Sequence, residues 1–521
     1  MKKYLLIFCV LIALFSCKKS TTMPEDDNPG GTDTTVTYAD IISAKIESKN
    51  NIGKVTADVE CTIAGDSITA MVPEMLDSKK LVLTFTTKST GTVIKVGDTV
   101  QNSGITVTDF SKVVPYAATS TGGVTKLYKV IIRTFTGLPI FYLTTSTGTD
   151  VTSKDVYITG NLVVDANNSY KQDVTNLPLK IKGHGNSTWA NYPKKPYKIK
   201  LDKKASMLGM GAAKDWILLA NYNDKTLMRI KIAFELGRRL KSDFAPESRF
   251  VEVVLNGKYW GNYLLTSAVE INPNRVNIDE MTGADVAPDI TGGFLVEEDY
   301  KLDAPVNWRT TQNVPFTVKD PDELTTDQVA YIKNYMQATE DALYATNWTD
   351  PVNGYAKYID ADSFMRWYAV NETLKNQDSW DFSSIYYYKN KNGKLGMGPI
   401  WDFDISLGNC DYSVSKDPEN WYTRYGKWMI RLAVDPAWNF KWRAMWKSIR
   451  TKEVEQIFND IDNTAAYLKL SQEQNYKRWP TLDTYVYPNA VVLGTYDKEV
   501  AYMKDFITKR VAWIDAHISS Y

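Results

Sequence analysis

The stretch that decides the reading is Asn376-Gln377-Asp378-Ser379-Trp380-Asp381-Phe382-Ser383-Ser384-Ile385-Tyr386-Tyr387-Tyr388-Lys389. After Asn392-Gly393 the chain returns through Leu395-Gly396-Met397-Gly398-Pro399-Ile400 to Trp401-Asp402-Phe403-Asp404. Asn392-Gly393 is a two-residue hairpin signal, because both positions tolerate positive φ. With that pair at the tip, Tyr388 faces Met397, Asp402 faces Ser383, and Asp378 lies in the loop just beyond. Two acidic clusters 24 residues apart in sequence then meet at the open end of one hairpin.

Carboxylates brought that close repel unless a cation lies between them or one holds a proton. The chain has only two histidines, His184 and His517. A three-histidine zinc site, a His-Glu-x-x-His motif and a two-histidine iron site therefore cannot be built. Hard oxygen donors without histidine suit Mg²⁺ or Mn²⁺. A cation held by one or two carboxylates and substrate phosphates is the usual phosphoryl-transfer arrangement. On that plan Asp378 is the catalytic aspartate and Asp402-Phe403 opens the metal motif. The competing reading is a solvated turn whose acids cap a helix. No Walker A pattern is present, so a P-loop is not a rival. The 61 Lys+Arg balance 61 Asp+Glu over 521 residues. No basic excess exists to displace phosphate counterions, which argues against a nucleic-acid partner.

Outward from the hairpin, the chain changes texture. Strand-like runs at 140–145, 179–182, 197–201, 250–255 and 294–298 precede it, with one early helix over 225–240. Beyond about Glu323 helices dominate. Thr325 and Gln328 form a capping-box pattern, and Ser363 is placed to cap a second helix. Trp438, Trp442 and Trp446 recur at helical spacing, as core residues do. A mainly β half, 136 to about 320, and a mainly α half, about 321 to 521, predict an α+β, two-lobed domain.

The N-terminal end is organised differently. Lys2 and Lys3 precede the apolar run 4–15, which stops at Ser16-Cys17, the pattern of a secretory signal over 1–16. Leu14-Phe15-Ser16-Cys17 resembles the lipobox of bacterial lipoproteins, which implies lipid on Cys17, export, and anchoring to the cell envelope at the outer membrane or cell surface. Residues 17–37 read as a flexible tether. Residues 38–135 alternate apolar and polar with turn residues between, predicting a small β-sandwich. Gly97, Gln101-Asn102-Ser103-Gly104 and Lys126-Leu127-Tyr128-Lys129-Val130 resemble the immunoglobulin-like spacers of bacterial surface lipoproteins. Of four cysteines, Cys61 and Cys410 fall in different expected domains, which disfavours a disulfide between them.

From about Leu138 to Tyr521 the chain resembles the CotH (spore coat protein H) kinase family. The matching stretches are Gly183-His184-Gly185-Asn186-Ser187-Thr188-Trp189, Pro193 to Leu201, Lys214 to Tyr222, Asp224 to Arg229, Val254 to Tyr263, and Pro399 to Asp404. The resemblance implies an atypical protein-kinase-like fold, ATP with Mg²⁺ or Mn²⁺, and phosphoryl transfer to a hydroxyl of an acceptor protein. It assigns Asp378 as catalytic and Asp402 as metal-binding, with Asp404 beside it. Lys198 or Lys200, on one face of the 197–201 strand, is placed to meet nucleotide phosphates. Arg229 either contacts phosphate or braces a carboxylate, and Glu297 or Glu298 holds that lysine or arginine. Three positions depart from the family pattern. Ser383 or Ser384 stands where a metal-binding asparagine is frequent, Ser267 replaces a frequent glutamate, and Ile230 follows Arg229 where asparagine is common. The departures keep open a catalytically weak or inactive surface module that binds protein or glycan. A metal-dependent glycosyl- or nucleotidyl-transferase using Asp402 and Asp404 is a third reading.

Overall fold

A computed structural model describes residues 37–380 and 382–521. The signal, Cys17, nearly all of the tether, and Asp381 lie outside the described residues.

The first hundred described residues are β-rich. A three-stranded sheet, a six-stranded sheet and a two-stranded ribbon share one core. Strand Ile41–Ile46 supplies Ile41, Ala44 and Ile46 to it, and strand Thr125–Thr134 supplies Tyr128, Val130 and Ile132. The period-two alternation produces this one-sided burial, because successive side chains leave opposite faces of a strand. Asn167 and Asn168 join this unit to the rest. Asn167 Nδ2 donates to the carbonyls of Thr134 and Leu138, and Asn168 Nδ2 to those of Phe110 and Ile132. Cys61 and Cys410 are both free thiols.

Seven strands then close into a barrel. In spatial order they are Ile140–Thr145, Ile158–Asp165, Asn176–Gly183, Tyr197–Met207, Met210–Leu219, Lys258–Ser267 and Ser248–Leu255. The last pairs in parallel with the first, and the other pairs are antiparallel. Tyr197, Ile199, Leu201, Trp216 and Leu218 fill the barrel. Alternation turns Lys182, Lys198, Ile217 and Leu219 outward, where they become one wall of the site described below.

The expected division near residue 320 is not a spatial one. A five-stranded sheet runs Asn307–Arg309, Pro315–Asp320, Phe294–Glu298, Ile385–Lys389, Leu395–Met397. Its last two strands come from the half read as helical, so the sheet stitches both halves together. The α-helices that follow bury the tryptophan stripe, with Trp438, Trp442 and Trp446 all in the large core. Among the described residues no helix is long and apolar enough to cross a membrane.

Local expectations are corrected at three places. The early helix spans Arg229–Arg239, starting later than expected. The Asp224 carboxylate takes the N–H groups of Thr226 and Arg229, which holds the preceding residues in a turn. The second helix, Ala361–Leu374, is capped by Asp360 rather than Ser363. The Ser363 hydroxyl is buried and bonds the backbone of Met397 instead. The capping box of Thr325 and Gln328 forms in full at Thr326–Tyr344.

The third correction is the hairpin register. Tyr387, not Tyr388, faces Met397, so the register is one residue off and the connection spans Asn390 to Lys394. Gly393 N–H donates to the Asn390 carbonyl, closing a turn centred on Lys391-Asn392, one residue earlier than the expected tip. Thr291 also bonds the Asn392 side chain and backbone, and the Lys389 ammonium donates to the Thr291 carbonyl. These bonds to a distant segment outweigh the local preference of Asn-Gly.

Candidate active site

A cavity of about 890 Å³ lies between the outward barrel face, the five-stranded sheet and the loops at the hairpin's open end. That volume is in the usual range for small-ligand sites. Asp378, Asp402, Asp404 and Ser384 line it, as do Lys182, His184, Lys198, Glu297 and Lys319.

The acidic end is built on irregular backbone. Asp378 sits in the short turn Gln377–Ser379, just after the Ala361–Leu374 helix ends with Lys375 in the left-handed region. Ser384 and Asp402 also adopt positive φ, +63° and +50°. A non-glycine residue held there costs of the order of 1–2 kcal/mol, and such positions concentrate at functional sites. Burial raises the Asp378 carboxyl well above its ordinary value, and the charges of Asp402 and Asp404 raise it further. Burial likewise raises Asp402, with Asp404 adding repulsion and a hydrogen bond from the Ser384 side chain opposing it. Asp404 is raised by burial against a 2.7 Å hydrogen bond from Asn223 Nδ2.

A hard cation fits this donor set, since the Asp402 and Asp404 carboxylates and the Ser384 hydroxyl are oxygen donors whose mutual repulsion it would relieve. Among the described residues no three His, Cys, Asp or Glu side chains form a ready-made metal cage.

The basic end stands mostly on regular strands. Lys182 and Lys198 are cross-strand partners, and Lys198 Nζ lies 3.5 Å from Asp215 Oδ2 on the next strand. His184 follows directly. Burial pushes its imidazole down to about 3, helped by Lys198, Lys319, Lys182 and Lys154 around it. Gly183 lets the Trp189 ring close over the end of the strand, where a Cβ would collide with it. Gly185 has φ +79° and turns the loop back into the cavity.

Arg229 takes the second of its two expected roles, and Glu297 holds a partner other than those expected. Arg229 is 1% exposed, lies behind the cavity, and does not form part of its wall. Its guanidinium pairs with Asp224 at 2.5 Å and donates through Nε to the Ser406 carbonyl at 3.2 Å. It braces a carboxylate and the loop that carries Asp404, rather than phosphate. Glu297 holds neither Lys198 nor Arg229. It pairs with Lys319 at 2.9 Å and accepts the Ser384 N–H at 2.9 Å. Glu297 therefore links the basic end to the acidic loop.

A family model for the CotH kinase protein matches residues 181–514, well over half the chain. The chain belongs to the CotH kinase family. The CotH region begins inside the strand that carries Lys182 and contains all three aspartates, whereas the N-terminal β-rich unit lies outside it. No curated protein matches the chain. Among solved structures, a candidate glycoside hydrolase from Bacteroides thetaiotaomicron is similar at 15% identity, over 58% of this chain and 88% of that one, with a TM-score of 0.17. A likeness that low carries no argument about this CotH protein.

Sequence reasoning missed Lys319 and the asparagines behind Asp404. Asn409 Nδ2 donates to the Asp404 carbonyl at 2.8 Å and to the Asn223 carbonyl at 3.1 Å. Asn489 Nδ2 donates to that same Asn223 carbonyl at 2.6 Å. Three distant segments thus fix one loop. Nothing local marks these residues in the CotH sequence, because their partners lie up to 266 positions away.

Proposed function

We propose that this CotH protein is an ATP-dependent phosphotransferase acting on hydroxyl groups of surface or secreted macromolecules, either proteins or the glycans they carry. One observation carries the reading: a single cavity with lysines at one end and three crowded aspartates at the other. Lysines at that spacing receive the triphosphate, and Glu297 orients Lys319 toward it. Lys198 is a second phosphate partner. The apolar wall of Ile217, Leu219, Ile230 and Val269 accommodates the base. Asp402, with Asp404 and Ser384, would hold Mg²⁺ or Mn²⁺, which supplies positive charge for the phosphate oxygens. Asp378, at the end of that acidic group, accepts the acceptor's hydroxyl proton. In-line transfer needs little more than this positioning and electrostatic support.

The reading extends to the ends of the chain. Lipid on Cys17 anchors an exported protein to the envelope, the N-terminal β-rich unit is an immunoglobulin-like spacer, and the barrel on one side of the cavity and the helices with the five-stranded sheet on the other correspond to kinase-like lobes. Metabolic labelling with a fatty acid tests the anchor, and label persisting in Cys17→Ala rules it out.

Thermal unfolding with ATP and Mg²⁺ or Mn²⁺ tests the chemistry. The melting temperature rises with nucleotide in the native chain and not in Asp402→Ala, because ligand binding stabilises only the folded state. No rise with ATP at millimolar metal sinks the reading. A rise with a sugar-nucleotide alone favours the transferase alternative.

A further inference from the structure

Exposed aromatic side chains are not spread over this molecule. Among the described residues nine are exposed, and seven of these belong to segments beside the acidic end of the cavity. They are Tyr300, Trp380, Phe382, Tyr412, Tyr425, Tyr485 and Tyr487, each between 46% and 59% exposed. Phe382, Tyr412 and Tyr487 line the cavity itself. Exposing that much ring surface is unfavourable, so its concentration around one opening marks a binding surface.

The rings are arranged as flat platforms. Tyr300 and Phe382 stack at 5.9 Å with planes 13° apart, and the Tyr300 N–H donates to the Phe382 carbonyl. Tyr412 and Tyr487 stack at 5.9 Å with planes 17° apart. Separate segments build the two pairs. Phe382 is four residues past Asp378, and the Asp378 charge reaches the Tyr412 hydroxyl. Polar groups stand among the rings. Tyr485 donates to Asp411 Oδ2 at 2.5 Å, and Trp380 Nε1 to the Tyr425 carbonyl at 2.7 Å. Two basic groups lie over the rings, Arg309 over Tyr300 and Arg424 over Tyr425.

We infer that this rim is the acceptor subsite and that the acceptor is a carbohydrate, which presents a sugar hydroxyl to Asp378. The inference rests on the phosphotransferase reading and narrows its acceptor. A pyranose has a flat patch of C–H groups ringed by hydroxyls, so it covers an aromatic face while its edges meet hydroxyl and carboxylate partners. A charged peptide is read by rows of one sign of charge, whereas both signs are interspersed beside these rings, with Lys301 and Asp303 lining the cavity and Arg309 lying over Tyr300. In the reaction, the sugar oxygen bonds to the γ-phosphorus of ATP as the bond from that phosphorus to the β,γ-bridging oxygen breaks. ADP leaves with that electron pair, and the hydroxyl proton passes to the Asp378 carboxylate.

The experiment incubates the full chain with labelled ATP and Mg²⁺, offering cellohexaose, chitohexaose and mannohexaose beside dephosphorylated casein and a serine–threonine peptide mixture. A glycoprotein before and after enzymatic removal of its glycan separates a free sugar from a protein-borne one. Label enters an oligosaccharide or the intact glycoprotein. Tyr412→Ala and Phe382→Ala each raise KM for that sugar about tenfold, Tyr412→Trp restores it, and the ATP-induced rise in melting temperature survives. Label confined to casein, peptide or the deglycosylated protein overturns the inference, as does an unchanged sugar KM in both alanine variants. If ATP does not bind, the phosphotransferase reading fails instead. Saturation-transfer NMR of the same three sugars then decides the rim. A sugar signal that the native chain produces and Tyr412→Ala abolishes supports it, and no signal from any of the three overturns it.

Discussion

The two ends of the cavity are built by opposite means. Lys182 and Lys198 stand on paired strand positions whose ladder fixes each side chain's face and spacing, and Lys319 stands on a strand at a register shift. Asp378, Ser384 and Asp402 stand on turns, two of them at positive φ. Strand pairing sets Lys182 and Lys198 directly opposite each other on one face, and their long stems let the like charges splay apart toward solvent. Three half-buried carboxylates that line one end of a cavity and repel one another need backbone held in place. The acidic end is therefore held from behind, by Arg229 on Asp224 and the Ser406 carbonyl, and by Asn223, Asn409 and Asn489 around Asp404. Backbone regularity thus positions one end, and buried polar buttresses position the other.

This contrast breaks first at the acidic end. Asp378→Asn keeps the shape of the turn and removes the proton acceptor, so transfer from ATP falls by about 10²–10⁴-fold, while the ATP-dependent rise in melting temperature remains. Transfer at the native rate would show that Asp378 takes no proton. Arg229→Met tests the buttress. It strands the Asp224 carboxylate in the core, and urea titration reads a loss of about 3–5 kcal/mol. A loss under about 1 kcal/mol would mean that the acidic loop needs no such support.

Changes at the basic end have smaller effects. Lys319→Met leaves the buried Glu297 carboxylate without its ammonium and weakens ATP binding about tenfold, and it lowers the urea midpoint less than Arg229→Met does because Lys319 is partly exposed. Isothermal titration against ATP checks it, and equal affinity would remove Lys319 from the site. His184 gives a pH signature. Its folded-state value near 3 lies below the 6.5 of an unperturbed imidazole. Between those limits the unfolded chain binds more protons, so this group's contribution to stability rises with pH and is lost as pH falls from about 6.5 toward 3. His184→Gln flattens that part of the stability curve. Identical slopes in the two chains would show that burial and the surrounding lysines do not hold the imidazole neutral.

Legibility in the sequence follows the same line. Strand Tyr197–Met207 and its outward Lys198 are readable, because alternation is a local signal. The capping box at Thr325 is readable for the same reason. The Asn392-Gly393 turn is recognisable but its register falls one residue off, since Thr291 rewires the tip from a distant segment. Sequence leaves Arg229 two roles, and burial selects the brace over the phosphate contact. Glu297 stands out on its strand, but its partner Lys319 does not, because that pair forms across neighbouring strands of a sheet whose order the sequence does not state.

By itself the sequence determined the chemical vocabulary. Two histidines left carboxylates, lysines and a hard metal, and ordered motifs pointed to the CotH family. It also marked several strands and the Thr325 capping box, which depend on residues a few positions apart. The tertiary structure decided who meets whom. It made the five-stranded sheet from both halves, hid Arg229, paired Glu297 with Lys319, and gathered seven exposed rings beside Asp378. Those outcomes depend on meetings between segments tens to hundreds of residues apart. Short-range propensity cannot encode them, because they follow from packing of the whole chain.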